Sequence, residues 1–183
     1  MAKAYKSSEI HSLKERQIFF DANILLYIFW PTGFKWINQY SDIFKRLLQQ
    51  DNAMFVDFIV LSEVVNRAIR LEYEKHLKSN NILKENLSFK RYRNSEDGQK
   101  VVDEVYQIIK KNIVNNFSIT AKAYTKPDIE NFLQVDFLDF SDKGIAAICK
   151  EHNFVLLTND KDFANSDLDI LTSNPGLLKT HHQ

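Results

Sequence analysis

The sequence predicts an α/β fold with a mainly parallel central sheet, and two of its features support that prediction. Short apolar runs that are typical of buried strands alternate with longer segments whose apolar residues recur at helical spacing. Only 4 Gly and 3 Pro occur among the 183 residues, which favours long helices over the tight turns of an all-β sandwich. The length and the 44% of hydrophobic residues fit a single domain with a sizeable core, residues 1–183.

In the first half of the chain, two short apolar runs predict buried strands at residues 17–20 and 54–58. The polar segment before them, residues 1–16, is expected to form a loose arm or a short helix. Helical spacing predicts helices at 23–30, at 36–50 and from Leu61 to about Leu77, with a break around Pro31 and Gly33 and with Ser62 near the start of the third helix.

The second half begins with a polar and basic stretch, residues 79–100, that is expected to be a loop or lid. An amphipathic helix is predicted at 101–114, and the region 77–126 is interpreted as a helical and basic insertion within the domain. The remaining predicted elements are a strand at 116–120, a short helix at 127–133, a helix at 143–152, a buried strand at 154–157 and a final edge strand at 169–171.

Opposite charges are segregated along the chain, although the net charge is zero. Residues 67–93 contain eight Lys or Arg and three Asp or Glu, a net charge of +5, whereas residues 128–169 contain three Lys and ten Asp or Glu, a net charge of −7. Because close carboxylates repel one another, such an acidic concentration requires cations or a basic surface to offset it.

Simpler features disfavour several classes of protein. Cys149 is the only cysteine, which excludes an intrachain disulfide scaffold and a cluster of thiolate metal ligands. The N-terminal residues carry charges but no apolar signal-peptide core, and the longest apolar runs are far shorter than the ~20 residues that span a bilayer. We therefore expect a soluble, cytoplasmic protein.

Four acidic residues stand at the ends of predicted elements. Asp21 directly follows the first buried strand and Asp160 shortly follows the strand at 154–157, while Glu63 and Asp142 lie in the first turns of helices. The carboxyl ends of parallel strands face the crevice in which ligands bind, so these carboxylates can converge. Oxygen ligands without clustered Cys or His favour Mg²⁺ or Mn²⁺ over zinc.

Each acid also has an interpretation that needs no ligand. Asp142 can cap its helix and Asp160 can stabilise a turn. Glu63 can form a surface ion pair with Arg67, four residues later. Asp21 is the hardest to explain in this way, because a carboxylate between two buried apolar runs is costly to desolvate without a partner.

The strings FFDANILLY, LSEVVNR and DFSDKGIAAICKEHNFVLLTNDKDF together resemble the PIN-domain nucleases, particularly the toxins of VapC-type toxin–antitoxin modules. Residues 139–163 are the most specific part, and the resemblance covers 17–76 and 127–172 well but 77–126 poorly. It implies a three-layer α/β/α sandwich and an endoribonuclease that uses Mg²⁺ or Mn²⁺ to cleave single-stranded or structured RNA. It also implies a small antitoxin protein as partner, as in type II toxin–antitoxin systems, and a homodimer.

The resemblance further assigns roles to individual residues. The catalytic and metal-binding residues would be Asp21, Glu63, Asp142 and Asp160, with Asn23 and Thr158 as polar supports and Asp162 as an auxiliary ligand. Asp139 is expected to cap the helix that contains Asp142.

The basic stretch is expected to contact the phosphates of the RNA. The residues assigned to RNA binding are Arg67, Arg70, Lys90, Arg91 and Arg93, and the aromatic residues Phe89 and Tyr92 among them are expected to stack on unpaired bases. The alternative for any one of these residues is a solvated helix face or loop.

Three other functions compete with this one. A phosphatase of the haloacid dehalogenase class needs a second Asp two residues after a nucleophilic Asp, but Asn23 stands at that position after Asp21. An RNA-processing nuclease without an antitoxin and a PIN-like module that binds RNA or protein without cleavage both remain open. The four acids argue against the module, since a site without catalysis would be free to lose them.

Overall fold

A computed structural model of the protein describes residues 2–30 and 35–180. These residues form a six-stranded sheet in which all neighbouring strands are parallel, in the spatial order β1-β6-β5-β2-β3-β4. The strands are β1 (Ala4–Tyr5), β2 (Ile18–Phe20), β3 (Met54–Val56), β4 (Ser118–Ile119), β5 (Val155–Leu157) and β6 (Ile170–Leu171).

Helices alternate with these strands, and the predicted three-layer α/β/α sandwich with a mainly parallel sheet is confirmed. The helices are α1 (Ala22–Phe29), α2 (Ile37–Gln49), α3 (Phe58–Ser79), α4 (Phe89–Arg93), α5 (Glu96–Ile109), α6 (Lys126–Phe132), α7 (Phe140–His152) and α8 (Pro175–Thr180). Two 3₁₀ helices lie at Ser7–Leu13 and Lys161–Asn165, and one turn of π-helix at Lys110–Val114 extends α5.

The central strands β2 and β5 are buried along their whole length. They pair in register, with Phe20 opposite Leu157, and none of their six residues is exposed to solvent. A parallel strand that is covered on both faces needs apolar side chains at every position, which is why these strands are continuous apolar runs in the sequence. The residues that follow them, Asp21 and Thr158, consequently leave the sheet side by side.

The predicted arrangement at one edge of the sheet is wrong. The strand β6 is not the edge, because β1 pairs with its outer side: Ile170 N–H donates to the Lys3 carbonyl and Thr172 N–H to that of Tyr5. Residues 1–16, expected to be a loose arm or short helix, supply β1 and a 3₁₀ helix whose Ile10 and Leu13 enter the core. A two-residue strand is too short to show a period in the sequence.

The third helix begins three residues earlier than the sequence predicted. Its N-cap is Asp57, whose carboxylate accepts the backbone N–H of Val60 at 2.8 Å, so α3 starts at Phe58 and Ser62 lies inside it. Residues 54–58 resemble one continuous strand because Phe55, Val56 and Phe58 are residue types that favour strands. The Asp57 cap overrides this local preference, since it satisfies a helical N–H that would otherwise be buried without a partner.

The stretch 79–100, which was expected to be a loop or lid, contains the helix α4 and the start of α5. Ser88 caps α4 and Ser95 caps α5, which therefore begins before the predicted position 101. Tyr92 is 2% exposed and packs against Tyr73 and His76 of α3. The polar composition concealed the short helix α4, in which Tyr92 is the one buried residue.

Other elements agree with the sequence in place and type, and two expectations stay predictions. The predicted strand at 116–120 is β4, which joins the main sheet beside β3 and lies within the region interpreted as an insertion, 77–126. That division of the chain and the single domain remain predictions.

The expected break at Pro31 and Gly33 lies outside the described residues. In residues 2–30 and 35–180, no helix has the length and apolarity needed to cross a membrane.

Candidate active site

A cleft of about 760 Å³ opens at the carboxyl ends of the central strands. Asp21 reaches it from the end of β2, and Asp160 from the loop after β5. Glu63, in the second turn of α3, and Asp142, in the first turn of α7, also line it. The structure therefore brings together all four acids that the sequence singled out.

Asp21 is the most buried of the four acids, with 5% of its surface exposed. The Thr158 hydroxyl donates to Asp21 Oδ2 at 2.5 Å, and the Asn23 side-chain amide donates to the same oxygen. The Thr158 hydroxyl also accepts the backbone N–H of Asp160 at 2.9 Å. Asn23 and Thr158 thus lie beside the acids they were predicted to support, and Thr158 links Asp21 to the loop that carries Asp160.

The electrostatic environment raises the pKa of Asp21 from 3.8 to about 6. Burial is the largest cause, because it removes the charged form from water, and the negative charges of Glu63 and Asp160 add to it. The hydrogen bond from Thr158 opposes these effects but does not cancel them. Asp21 therefore carries a negative charge that the protein compensates only in part.

The pKa of Asp142 is raised further, from 3.8 to about 8. Burial is again the largest cause, followed by repulsion from the carboxylates of Asp139, Asp21, Asp160 and Glu63. The cap of α7 is Asp139, which accepts the Asp142 N–H at 2.9 Å. The interpretation of Asp142 as a helix cap is therefore wrong, and the expected capping role of Asp139 is confirmed.

Glu63 and Asp160 line the cleft, and each also forms the local contact that the sequence suggested. Glu63 forms an ion pair with Arg67 at 2.9 Å, and both side chains line the cleft. Asp160 Oδ1 accepts the backbone N–H of Asp162 at 3.0 Å, which stabilises a turn. Asp162 lines the cleft as well, next to the predicted acids. Each of the two acids therefore stabilises its local structure and also lines the site.

Polar residues that sequence reasoning missed hold the loop after β5 in place. The buried hydroxyl of Tyr40 donates to Asn159 Oδ1 at 2.8 Å and accepts the Ser173 N–H at 3.2 Å. The Asn174 amide donates to the Asn159 carbonyl at 2.8 Å. Asn159 and Asn174 both line the cleft. Asn174 lies three residues after β6, whereas Asp21 directly follows β2, so the position that marked Asp21 did not mark Asn174.

Three further residues line the cleft to which the sequence analysis gave no functional role: Lys35, Trp36 and Lys161. Lys35 and Trp36 stand just before α2, and Lys161 begins the 3₁₀ helix after Asp160. The signal that could have found the first two is the exchange of the usual N-cap residue types for a tryptophan beside a lysine at the start of α2.

Most of the basic residues assigned to RNA binding do not reach the cleft. Arg67 lines it, whereas Arg70 is absent from its lining and lies over the ring of Phe89, 4.4 Å from the centroid. Lys90, Arg91 and Arg93 are exposed on α4, outside the lining. Tyr92 between them is buried, so its expected stacking on unpaired bases is wrong, because both faces of its ring lack access to solvent.

The donor set of the cleft suits a hard divalent cation. It consists of carboxylate oxygens with amide and hydroxyl groups beside them, the ligands that Mg²⁺ and Mn²⁺ prefer. Within the described ranges, no three Asp, Glu, His or Cys side chains are gathered closely enough to hold a metal ion as they stand. Asp21, Glu63 and Asp160 are engaged with neighbours, and a bound ion would compete with those contacts.

The fold and this cleft agree with what comparison with known proteins shows. The family model described as PIN domain matches residues 18–167. The chain belongs to the PIN-domain family, whose members are generally nucleases.

Among solved structures, the chain is similar to one described as the crystal structure of VapBC2 from Rickettsia felis bound to a DNA fragment from their promoter. The two are 14% identical with a TM-score of 0.50, over 85% of this chain and 97% of the other. At that identity the likeness concerns the fold. No curated protein matches the chain.

Proposed function

We propose that this protein is a Mg²⁺- or Mn²⁺-dependent endoribonuclease that cleaves single-stranded or structured RNA. The observation that carries the proposal is the buried, hydrogen-bonded Asp21 beside Glu63, Asp142 and Asp160 at the carboxyl ends of β2 and β5. Burial, together with repulsion from the neighbouring carboxylates, raises the pKa of Asp21 and of Asp142, and a bound cation would offset the charge of their ionised forms.

The four acids are the proposed metal ligands, with Asp162 as an auxiliary. Divalent ions bound there would lower the pKa of a water molecule and stabilise the leaving oxygen of a phosphodiester. Thr158 and Asn23 orient Asp21, and the Thr158 hydroxyl fixes the Asp160 backbone. Arg67 holds Glu63 in an ion pair at 2.9 Å on the cleft lining, and a divalent cation bound there would compete with that pair.

The proposed biological role is that of the toxin of a type II toxin–antitoxin pair, with a small antitoxin protein as partner and a homodimer as the assembled form. Membership of the PIN-domain family and the shared fold with VapBC2 support this role. Expression of the chain alone should arrest growth of a bacterial host, and co-expression of a small protein encoded beside it should restore growth. Normal growth together with RNA cleavage in vitro would favour an RNA-processing nuclease instead.

Cleavage of a labelled single-stranded RNA tests the proposed chemistry directly. We expect cleavage with Mg²⁺ or Mn²⁺ and none with EDTA, because in the proposed chemistry the ions lower the pKa of the attacking water and stabilise the leaving oxygen. Cleavage that continues unchanged in EDTA would overturn the metal dependence. Metal-dependent binding of the RNA without any cleavage would favour the non-catalytic module.

The basic residues of α4 can contribute only to an RNA that extends beyond the cleft. We expect the triple substitution of Lys90, Arg91 and Arg93 by Glu to lower the affinity for an RNA of about 40 nucleotides and to flatten its salt dependence, since phosphate contacts release counterions. The affinity for an oligonucleotide of about 6 nucleotides should change little. Filter binding at several salt concentrations measures both, and an equal loss for the two lengths would contradict the expectation.

A further inference from the structure

The cleft lining includes two lysines and a tryptophan in addition to the acids. Lys35 and Trp36 line it from the start of α2, and Lys161 lines it from the loop after β5. We call the three residues the stacking rim. None of them belongs to the proposed metal site.

The two lysines of the stacking rim are available to bind an anion. Both are exposed, and in the part of the chain that the structure describes neither lies within ion-pair distance of a carboxylate. Arg67, in contrast, is held by Glu63 at 2.9 Å. Lysines that line a cleft rich in carboxylates and still form no ion pair are in a position to contact phosphate groups of a bound ligand.

Trp36 presents an aromatic surface to the same cleft. Its ring packs in part against the hydrophobic core, which fixes its orientation, and the remainder is accessible. It occupies the N-cap of α2, and because an indole has no hydrogen-bond acceptor its side chain does not cap the helix. The other tryptophan, Trp30, is buried at 5% exposure.

We propose that the stacking rim binds a single-stranded RNA, with one unpaired base stacked on Trp36 and the flanking phosphates on Lys35 and Lys161. This inference rests on the proposed function, and it names an unpaired nucleotide beside the scissile phosphate as the feature that is recognised. A base in a duplex is already covered on both faces by its neighbours, so it cannot stack on the ring without leaving the helix.

The present contact of Lys35 with Trp36 is compatible with this arrangement. Lys35 Nζ lies 5.3 Å from the centroid of the Trp36 ring. At an exposed site such a cation–π contact is weaker than the stacking of a base on an aromatic ring. An incoming base therefore displaces the ammonium group, which moves to the phosphate attached to that base.

Binding is best measured in the Asp21→Asn background, in which cleavage of the RNA is expected to be slow. The probe is an 8-nucleotide fluorescein-labelled single-stranded RNA, followed by anisotropy with Mg²⁺, with the same sequence as a blunt duplex for comparison. We expect Trp36→Ala to weaken binding of the single strand about 5- to 100-fold and Trp36→Phe to retain most of it. Lys35→Gln and Lys161→Gln should each reduce the slope of log affinity against log salt by about 0.7.

Matched controls come from exposed residues outside the cleft. Tyr106→Ala removes an aromatic side chain that is 53% exposed on α5, and Lys100→Gln removes an exposed lysine of the same helix. Neither should change the affinity or the salt slope. The duplex should bind more weakly than the single strand and should be insensitive to Trp36→Ala.

A second measurement does not depend on the folding of the Trp36→Ala variant. With the native tryptophans in place, the single-stranded RNA should quench the fluorescence of Trp36 while the buried Trp30 supplies a constant background. Absence of quenching, or unchanged affinity in a folded Trp36→Ala variant, would overturn the inference even if the wild-type protein cleaves RNA. RNA binding through Trp36 in a wild-type protein that cleaves no RNA would instead overturn the proposed function alone.

Discussion

Asp21→Asn is expected to lower the rate of metal-dependent RNA cleavage by about 10²- to 10⁴-fold, because polarisation by a bound metal supplies several kcal/mol and each 1.36 kcal/mol is tenfold in rate. The fold should survive, since the amide oxygen of Asn at this position can still accept from Thr158 and Asn23, as Oδ2 of Asp21 does. Single-turnover cleavage of a labelled RNA measures the effect, and circular dichroism checks the fold.

Asp103→Asn is the matched control for this substitution. It makes the same chemical change at an exposed position of α5, outside the lining of the cleft. Its cleavage rate should equal that of the wild-type protein. If Asp21→Asn cleaved RNA as fast as Asp103→Asn, the assignment of the metal site to the end of β2 would be wrong.

The metal-free protein is expected to lose stability as the pH rises from about 4 to about 8. Asp21 and Asp142 have pKa values of about 6 and about 8 in the folded state, above their ordinary value of 3.8. Their folded forms therefore bind protons more tightly than the unfolded chain, and this stabilisation is present below pH 4 and is lost as the pH passes each folded pKa. For Asp21 alone the loss is about 3 kcal/mol, at 1.36 kcal/mol per pKa unit.

Mg²⁺ should reverse this trend, because it binds the ionised carboxylates of the folded state and stabilises that state by mass action. Thermal unfolding at pH 5 and pH 8, each with EDTA and with excess Mg²⁺, measures both effects. At about 2–4 °C per kcal/mol for a chain of this size, the change in the midpoint is readily detected.

The Asp21→Asn variant serves as the control for this prediction. It lacks the titrating group, so its free energy of unfolding in EDTA should depend less on pH between 4 and 6 than that of the wild-type protein. A wild-type midpoint that is the same at pH 5 and pH 8 in EDTA would show that burial and mutual repulsion do not raise the pKa values of Asp21 and Asp142.

The structure also separates basic residues that are close together in the sequence. Arg67 and Arg70 are three residues apart on α3, yet Arg67 meets Glu63 in the cleft while Arg70 lies over Phe89. The contact of Arg70 depends on α4, which packs on α3 through Tyr92 and Tyr73. The sequence showed a positive region but contained no local signal for that packing.

What the sequence determined by itself is the parallel sheet and the acids at its carboxyl edge. Asp21 and Asp160 follow strands that are apolar throughout because both faces are covered, and Asp139 precedes a helix it caps. These signals are local, since burial of a strand and capping of a helix each depend on a few consecutive residues. The predicted acids converge because the carboxyl ends of parallel strands all lie at one edge of the sheet.

Only the tertiary structure decided which other residues share that edge. Trp36, Lys161 and Asn174 come from separate parts of the chain and meet in the cleft because α2, the loop after β5 and the segment after β6 pack together. The buried Tyr40 hydroxyl joins two of these segments through Asn159 and Ser173. Such contacts arise from distant segments of the chain, so no spacing along the sequence encodes them, whereas the acids are placed by the strands and helices that carry them.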